Sequence, residues 1–238
     1  MDILIANAML ILTLMILIVS VIMGAVRGFI KTFFSAFAVL IALIIAIQTG
    51  PYVGKVIQHT PIYSGIAGQI EQNMNEQTDE MGEKVSDQID AIAGYSIPEF
   101  IKETLIENNN SQMYEALGVY DFNAYVAAYM ACLVINAVSF LIVFLLAFVV
   151  IKMIEGALNL VSKLPVLHSI NKVGGIVCGV VHGLIRIWLI GVFIMAFAWT
   201  GIGQWASVQI NDNPILSLIY NHNLIVSALT NMSKMLFL

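Results

Sequence analysis

Few residues in this sequence are of the types that carry out chemistry, and most of these lie inside or beside long apolar runs. Four histidines are scattered without metal-ligand partners at helical spacing, namely His59, His168, His182 and His222. Cys132 and Cys178 lie within apolar runs and form no CxxC pattern, so we expect them to be small packing residues. The sequence therefore predicts no metal site and no disulfide framework.

Enzyme signatures are missing as well. The sequence contains no nucleophile elbow, zinc-protease helix, phosphate loop or dinucleotide fingerprint. An intramembrane protease needs paired acids, or Ser and His, within its spans. The most apolar run offers only Asn136 and Ser139 as inward polar candidates. We therefore expect a protein that is not an enzyme and needs no cofactor.

Two groups of residues are candidates for a specific structural or functional role, and the first lies between two apolar runs. It comprises Gly24, Arg27, Gly28 and Phe29. Glycine permits a tight or bent connection, and an arginine can extend its charge to the headgroups while its stem stays in apolar surroundings. The group therefore predicts a positively charged turn that fixes the topology, with a ligand site as the alternative.

The second group is a row of glycines four residues apart, which we call the glycine row: Gly175, Gly179 and Gly183. Small residues at this spacing let another helix approach closely in lipid. His182 and Arg186 lie on or beside the same face, because steps of three or four residues return to one side of a helix. The pattern favours a packing surface, although polar residues inside a span are functional candidates by default.

Two depths for Arg186 remain open. Asn171 and Lys172 precede the glycine row as part of a basic link. If the helix enters the membrane near Val173, Arg186 lies about 20 Å deep. If the stretch is tilted or re-entrant, Arg186 lies nearer the cytoplasmic interface.

Composition identifies the environment of these groups. The chain has 238 residues, of which 60% are hydrophobic and 11% charged, whereas soluble domains carry about 25% charged residues. Twelve of the 15 acidic residues lie between Glu71 and Asp121. The net charge of −5 and the lack of a basic stripe argue against nucleic acid as a partner. We expect a lipid bilayer to surround the apolar parts.

Runs of about 20 apolar residues predict membrane-spanning helices. We expect an all-α, multi-pass protein with about four spans, at about 3–26, 29–48, 124–151 and 173–200. Basic residues gather in the links between the first and second and between the third and fourth spans: Arg27, Lys31, Lys152, Lys163 and Lys172. The positive-inside rule places these links in the cytoplasm and both termini outside.

The chain divides into four predicted regions by this pattern: two spans, an acidic outer insert, two more spans with a basic link, and an amphipathic C-terminal helix on the bundle or at the interface. Their bounds are 1–50, 51–123, 124–203 and 204–238.

Helix signals recur within the two polar regions. In the insert, apolar residues at helical spacing and a capping box at Ser96 and Glu99 predict two or three amphipathic helices. The alternative is a solvated acidic spacer. Asp212-Asn213-Pro214 is a helix-start signal for the C-terminal region.

The Gly-x-x-Arg-Gly-Phe stretch that ends at Phe29 resembles the start of the colicin V production protein family. Members of that family open their last span with Asp-Arg-x-x-Gly-x-x-x-Gly-x-x-x-Gly. The corresponding residues here run from Asn171 to Gly183, with Asn171-Lys172 in place of the more usual Asp-Arg and His182 where Arg is common. The resemblance covers about 3–48 and 124–200, so the chain resembles an enlarged member.

The resemblance implies a protein of the bacterial inner membrane that is linked to production or export of a peptide toxin, or to envelope homeostasis. No catalytic activity is established for that family as a class. We expect a non-enzymatic accessory factor that packs with a second copy or another membrane protein through the glycine row. The alternative is a subunit of a small-solute or ion channel or transporter.

Overall fold

The computed structural model describes residues 7–75, 85–158 and 168–237, with side chains for 7–74, 85–154 and 171–231. Every regular element in these ranges is a helix, which confirms the all-α prediction. The acidic residues at positions 76–83 and the basic Lys163 lie outside the described residues. In chain order the helices are α1 (Ala8–Gln58), α2 (Pro61–Asn75), α3 (Val85–Gly94), α4 (Glu99–Glu107), α5 (Ser111–Leu117), α6 (Phe122–Leu158), α7 (His168–Ala196), α8 (Gly201–Asp212), α9 (Pro214–Asn221) and α10 (Leu224–Phe237).

Three of these helices, α1, α6 and α7, are long and apolar enough to cross a membrane. Helix α1 has 51 residues, so it would be about 77 Å long if it were straight. That length is more than twice the hydrocarbon core of a bilayer, which is about 30 Å thick. Helix α1 therefore has to bend or leave the membrane.

Gly28 bends α1. Its φ of 78° and ψ of 170° are not helical, and they divide α1 into a first arm (8–27) and a second arm (29–58). Ser20 in the first arm contacts Arg186, while Val39 in the second arm lines a cavity together with Ile185. Ser20 and Val39 would be about 28 Å apart along a straight helix. Because both meet neighbouring residues of α7, the second arm folds back beside the first.

The other long helices run antiparallel to these arms. Along α7, Gly175 faces Gly24 and Gly183 faces Leu17, so α7 runs against the first arm. Along α6, Asn136 contacts Gly54, and further on Lys152 reaches Ser35, so α6 runs against the second arm. The turn at Gly28 and the adjoining ends of α6 and α7 therefore lie together at one end of the bundle, as the four-span prediction requires. The count of four spans itself remains a prediction.

The second arm extends further than the sequence suggested. We placed the start of the outer insert at Pro51, but α1 continues through Pro51 to Gln58. Proline removes one backbone hydrogen bond from a helix interior. Close packing supports the helix beyond this point, because a Cβ on Gly54 would meet the Asn136 side chain.

The described residues of the insert form four short helices, α2 to α5, where we expected two or three. Ile92, Ile101 and Leu105 are buried, and the Tyr125 hydroxyl donates a 2.7 Å hydrogen bond to the Leu105 carbonyl oxygen. The insert therefore packs on the start of α6 instead of forming a solvated spacer.

The predicted capping box does not form. Helix α4 begins at Glu99 with Pro98 as its N-cap residue, and no side chain caps it. A residue that precedes a proline is disfavoured in the helical region, so Ile97 does not open a helix after Ser96. Pro98 itself is extended, with a ψ of 143°, and α4 begins directly after it.

The C-terminal region forms three helices, α8 to α10, where we expected one. Asn213 ends α8 and caps α9, accepting hydrogen bonds from the backbone N–H groups of Ile215 and Leu216. Ile225 and Leu229 of α10 are buried against the long helices. The Asn211 amide donates to the Ile97 carbonyl oxygen at 3.1 Å, which joins this region to the insert. The described parts of the two polar regions thus form one layer, the outer layer (residues 61–75, 85–121 and 201–237).

We predict that Gly28→Ala destabilises the protein more than Gly118→Ala does. Both glycines have positive φ, but the φ/ψ region of Gly28 is nearly exclusive to glycine and costs other residues about 1–3 kcal/mol. A Cβ at Gly28 would also collide with Asn171, whereas one at Gly118 would meet no atom within 4 Å. Thermal unfolding in detergent measures the difference, and an equal or smaller loss for Gly28→Ala would contradict the proposed turn.

Candidate functional site

The glycine row packs against a second row of small residues in the first arm of α1. This opposing row consists of Ser20, Gly24 and Gly28, which are also four residues apart. A Cβ on Gly175 would collide with the Gly24 carbonyl oxygen, and one on Gly179 would lie 2.6 Å from the Ser20 carbonyl oxygen. The two helix backbones are therefore in direct contact, which only the smallest side chains allow.

This contact occupies the face that we predicted for a partner. In the described part of the chain, Gly175, Gly179 and Gly183 all face the first arm of the same molecule. A second copy or another membrane protein would have to displace that arm, or bind to a different surface.

Asn171 and Phe29 support the turn at Gly28. The Ile30 backbone N–H donates to Asn171 Oδ1 at 3.4 Å, so Asn171 satisfies one of the unpaired donors at the start of the second arm. Phe29 packs over Gly174. Asn171 therefore acts as a cap from another helix, which is a role that an uncharged amide fills as well as a carboxylate does. Lys172 is exposed beside it.

Beside the two rows lies a cavity of about 360 Å³, which we call the cationic pocket. One part of its lining is polar, namely Arg27, Ser35, Lys152, His182 and Arg186, and the other part is apolar, namely Val39, Phe144, Phe148, Ile185 and Leu189. None of these residues is acidic. The structure thus brings together Arg27 from the first predicted group and His182 and Arg186 from the second.

Two serines contact two of the three cations of the pocket. Arg186 Nη1 donates to Ser20 Oγ at 2.7 Å, and Lys152 Nζ donates to Ser35 Oγ at 3.3 Å. Ser20 and Ser35 lie about 12 and 10 Å from Gly28 along their arms. Because the arms fold back on each other, both cationic groups lie at a similar depth in the bundle.

The position of Ser20 locates the Arg186 guanidinium within the bundle. Arginine side chains in helices extend towards the helix N-terminus, which for α7 is the end near Gly28. His182, one turn earlier, is only 8% exposed. The guanidinium therefore lies nearer the Gly28 end than its Cα does, and its depth in the bilayer stays a prediction.

Ser20, Ser35 and Lys152 are polar residues of this site that the sequence interpretation did not assign to it. Ser20 continues the spacing of Gly24 and Gly28 by one further step of four, and that spacing was a usable signal. From the sequence, Lys152 was assigned only to the basic link at the end of a span, where its charge helps to set the orientation in the membrane. Its place in the pocket depends on the antiparallel packing of α6 against the second arm, which no local pattern specifies.

A comparison with protein families matches residues 11–78 and 115–212 to the model of the colicin V production protein. The chain belongs to the colicin V production protein family. The matched segments contain both rows of small residues and the whole lining of the cationic pocket. They leave out 79–114 and 213–238, whose described residues belong to the outer layer. Neither the curated proteins nor the solved structures give a match.

In this family member we predict that Gly175→Ala lowers the unfolding midpoint strongly. The added methyl group meets the backbone of the first arm, which cannot rotate away, so the helices must separate at a cost of about 1–3 kcal/mol. Gly65→Ala is the matched control, because a Cβ there meets no atom within 4 Å. Equal midpoints for Gly175→Ala and the wild-type chain would refute the close contact.

Proposed function

We propose that this protein is a non-enzymatic accessory factor of the bacterial inner membrane. In this proposal it acts in the production or export of a peptide toxin, or in envelope homeostasis, by binding other membrane or envelope components. The observation that carries the proposal is the family match, because the matched segments build the entire bundle of long helices. The outer layer adds a further surface, and the family match covers only part of its residues.

Charge supports an orientation for the bundle. Arg27, Lys31, Lys152 and Lys172 all belong to the end of the bundle where Gly28 meets Asn171. The outer layer, at the other end, carries exposed acidic residues such as Asp87, Asp90, Glu103 and Glu115. By the positive-inside rule the Gly28 end faces the cytoplasm, and both termini and the outer layer are extracytoplasmic.

Cysteine labelling tests this orientation. In a background without Cys132 and Cys178, we expect Gly65→Cys to react with a membrane-impermeant maleimide added to intact cells. Lys172→Cys should react only after the membrane is permeabilised. Both positions are exposed, so accessibility within the protein does not distinguish them. Labelling of Lys172→Cys in intact cells would reverse the proposed topology.

A gene deletion in a toxin-producing host tests the function. We expect lower secretion of the peptide toxin or a leakier envelope, with recovery when the wild-type chain is supplied. Gly175→Ala should restore less than Gly65→Ala does, since it weakens the contact between the two rows. A deletion strain with normal secretion and a normal envelope would count against the accessory role.

A channel or transporter subunit is the second candidate function, and the cationic pocket is the observation that favours it. Cations within spans commonly mark solute paths. The purified protein in liposomes should then conduct anions, and Arg186→Ala should reduce the flux severalfold while Lys55→Ala leaves it unchanged. If the folded protein shows no anion flux, the channel or transporter candidate fails and the accessory role remains the proposal.

A further inference from the structure

We infer that the cationic pocket binds a phosphate group, either that of an anionic phospholipid or free phosphate. Arg27, Lys152 and Arg186 approach one cavity from three helical segments, with His182 beside them. This inference does not depend on the accessory role, because a binding site of this kind would serve a structural protein and a transporter equally.

The first reason is the charge of the pocket. Helices α1 and α7 contain no acidic residue, and α6 contains only Glu155, whose side chain lies outside the described residues. Among the described residues, neither Arg27 nor Arg186 forms a salt bridge. Cations within a bundle are costly unless a counter-charge or hydrogen bonds compensate them. An anion in the pocket would supply that compensation.

The second reason is the donor geometry. A guanidinium has five N–H donors in a planar fork, and this fork matches the paired oxygens of a phosphate. In the described structure the Arg186 side chain makes one hydrogen bond, to Ser20. That bond orients the guanidinium and leaves its other donors for a ligand. The ammonium group of Lys152 lies at a similar depth through its contact with Ser35.

The third reason is the apolar part of the lining. Phe144, Phe148 and Leu189 lie on the same cavity as the cations. A phosphate joined to an acyl chain would contact both parts at once. The serine-bound cations lie about 10–12 Å from Gly28, which is within reach of a lipid phosphate that enters near the interface. These features favour the phospholipid over the free ion.

Thermal unfolding of the full chain in a neutral detergent tests the inference. The probes are dihexanoyl phosphatidylglycerol, dihexanoyl phosphatidylcholine and inorganic phosphate. We expect phosphatidylglycerol to raise the midpoint in a saturable manner and phosphatidylcholine to have little effect. A rise with inorganic phosphate as well would identify the free ion as a sufficient ligand. Equal effects of the two lipids, or no effect of any probe, would overturn the proposal.

Variants show whether the pocket is responsible. Arg186→Gln should weaken phosphatidylglycerol binding about tenfold, the usual cost of losing a charge-assisted hydrogen bond. Arg186→Lys should weaken it less, since it retains the charge. Lys55→Gln removes an exposed cation that is not in the pocket and should leave the affinity unchanged. Weakening by Lys55→Gln equal to that by Arg186→Gln would show a general charge effect and refute the site.

Two further controls address folding and the acidic residue of α6. Circular dichroism and size-exclusion chromatography establish whether Arg186→Gln is folded, and Lys152→Gln repeats the test with a cation that does not contact the first arm. Glu155→Gln should leave phosphatidylglycerol affinity unchanged or raise it. If Glu155→Gln creates phosphate binding that the wild-type chain lacks, the pocket is already neutralised by its own chain and the proposal fails.

Discussion

The reversal of α1 at Gly28 is the constraint on which the arrangement of the long helices depends. In an unbroken α1, Ser20 and Val39 would lie about 28 Å apart. Residues of α7 near Arg186 could then not lie beside both of them. The turn requires a backbone conformation that is nearly exclusive to glycine, and Asn171 occupies the space where any side chain at position 28 would lie. Helix α7 must therefore approach closely, and the two rows of small residues allow it to do so.

This close approach also creates the cationic pocket. The first arm supplies Ser20 to Arg186, the second arm supplies Ser35 to Lys152, and the turn brings both serines to the same depth. Packing and charge are thus linked, because a change that separates the rows also removes Ser20 from Arg186. The family model covers these parts and omits much of the outer layer. The bundle with its pocket is thus what the matched segments build.

Much of the bundle could be predicted from the sequence, because lipid requires long apolar helices and these are visible as uninterrupted runs. The glycine row was also visible, and so were Arg27 and Arg186 as polar residues in apolar surroundings. The partner of the glycine row was not, since its pairing with Ser20, Gly24 and Gly28 depends on contacts between residues about 150 positions apart. The start of α4 was misplaced because the capping signal at Ser96 competes with Pro98, which disfavours a helical conformation at Ile97.

The distance between the two arms of α1 tests the folded-back arrangement most directly. Leu12 and Ile44 are both exposed and lie equally far from Gly28 along their arms, so spin labels there, in a background without Cys132 and Cys178, should disturb the core little. A folded-back α1 places these positions across neighbouring helices, and pulsed electron paramagnetic resonance should give a distance of about 20–30 Å. A straight α1 would separate them by about 48 Å, and a distance distribution centred there would contradict the reversal at Gly28 and the pocket that depends on it.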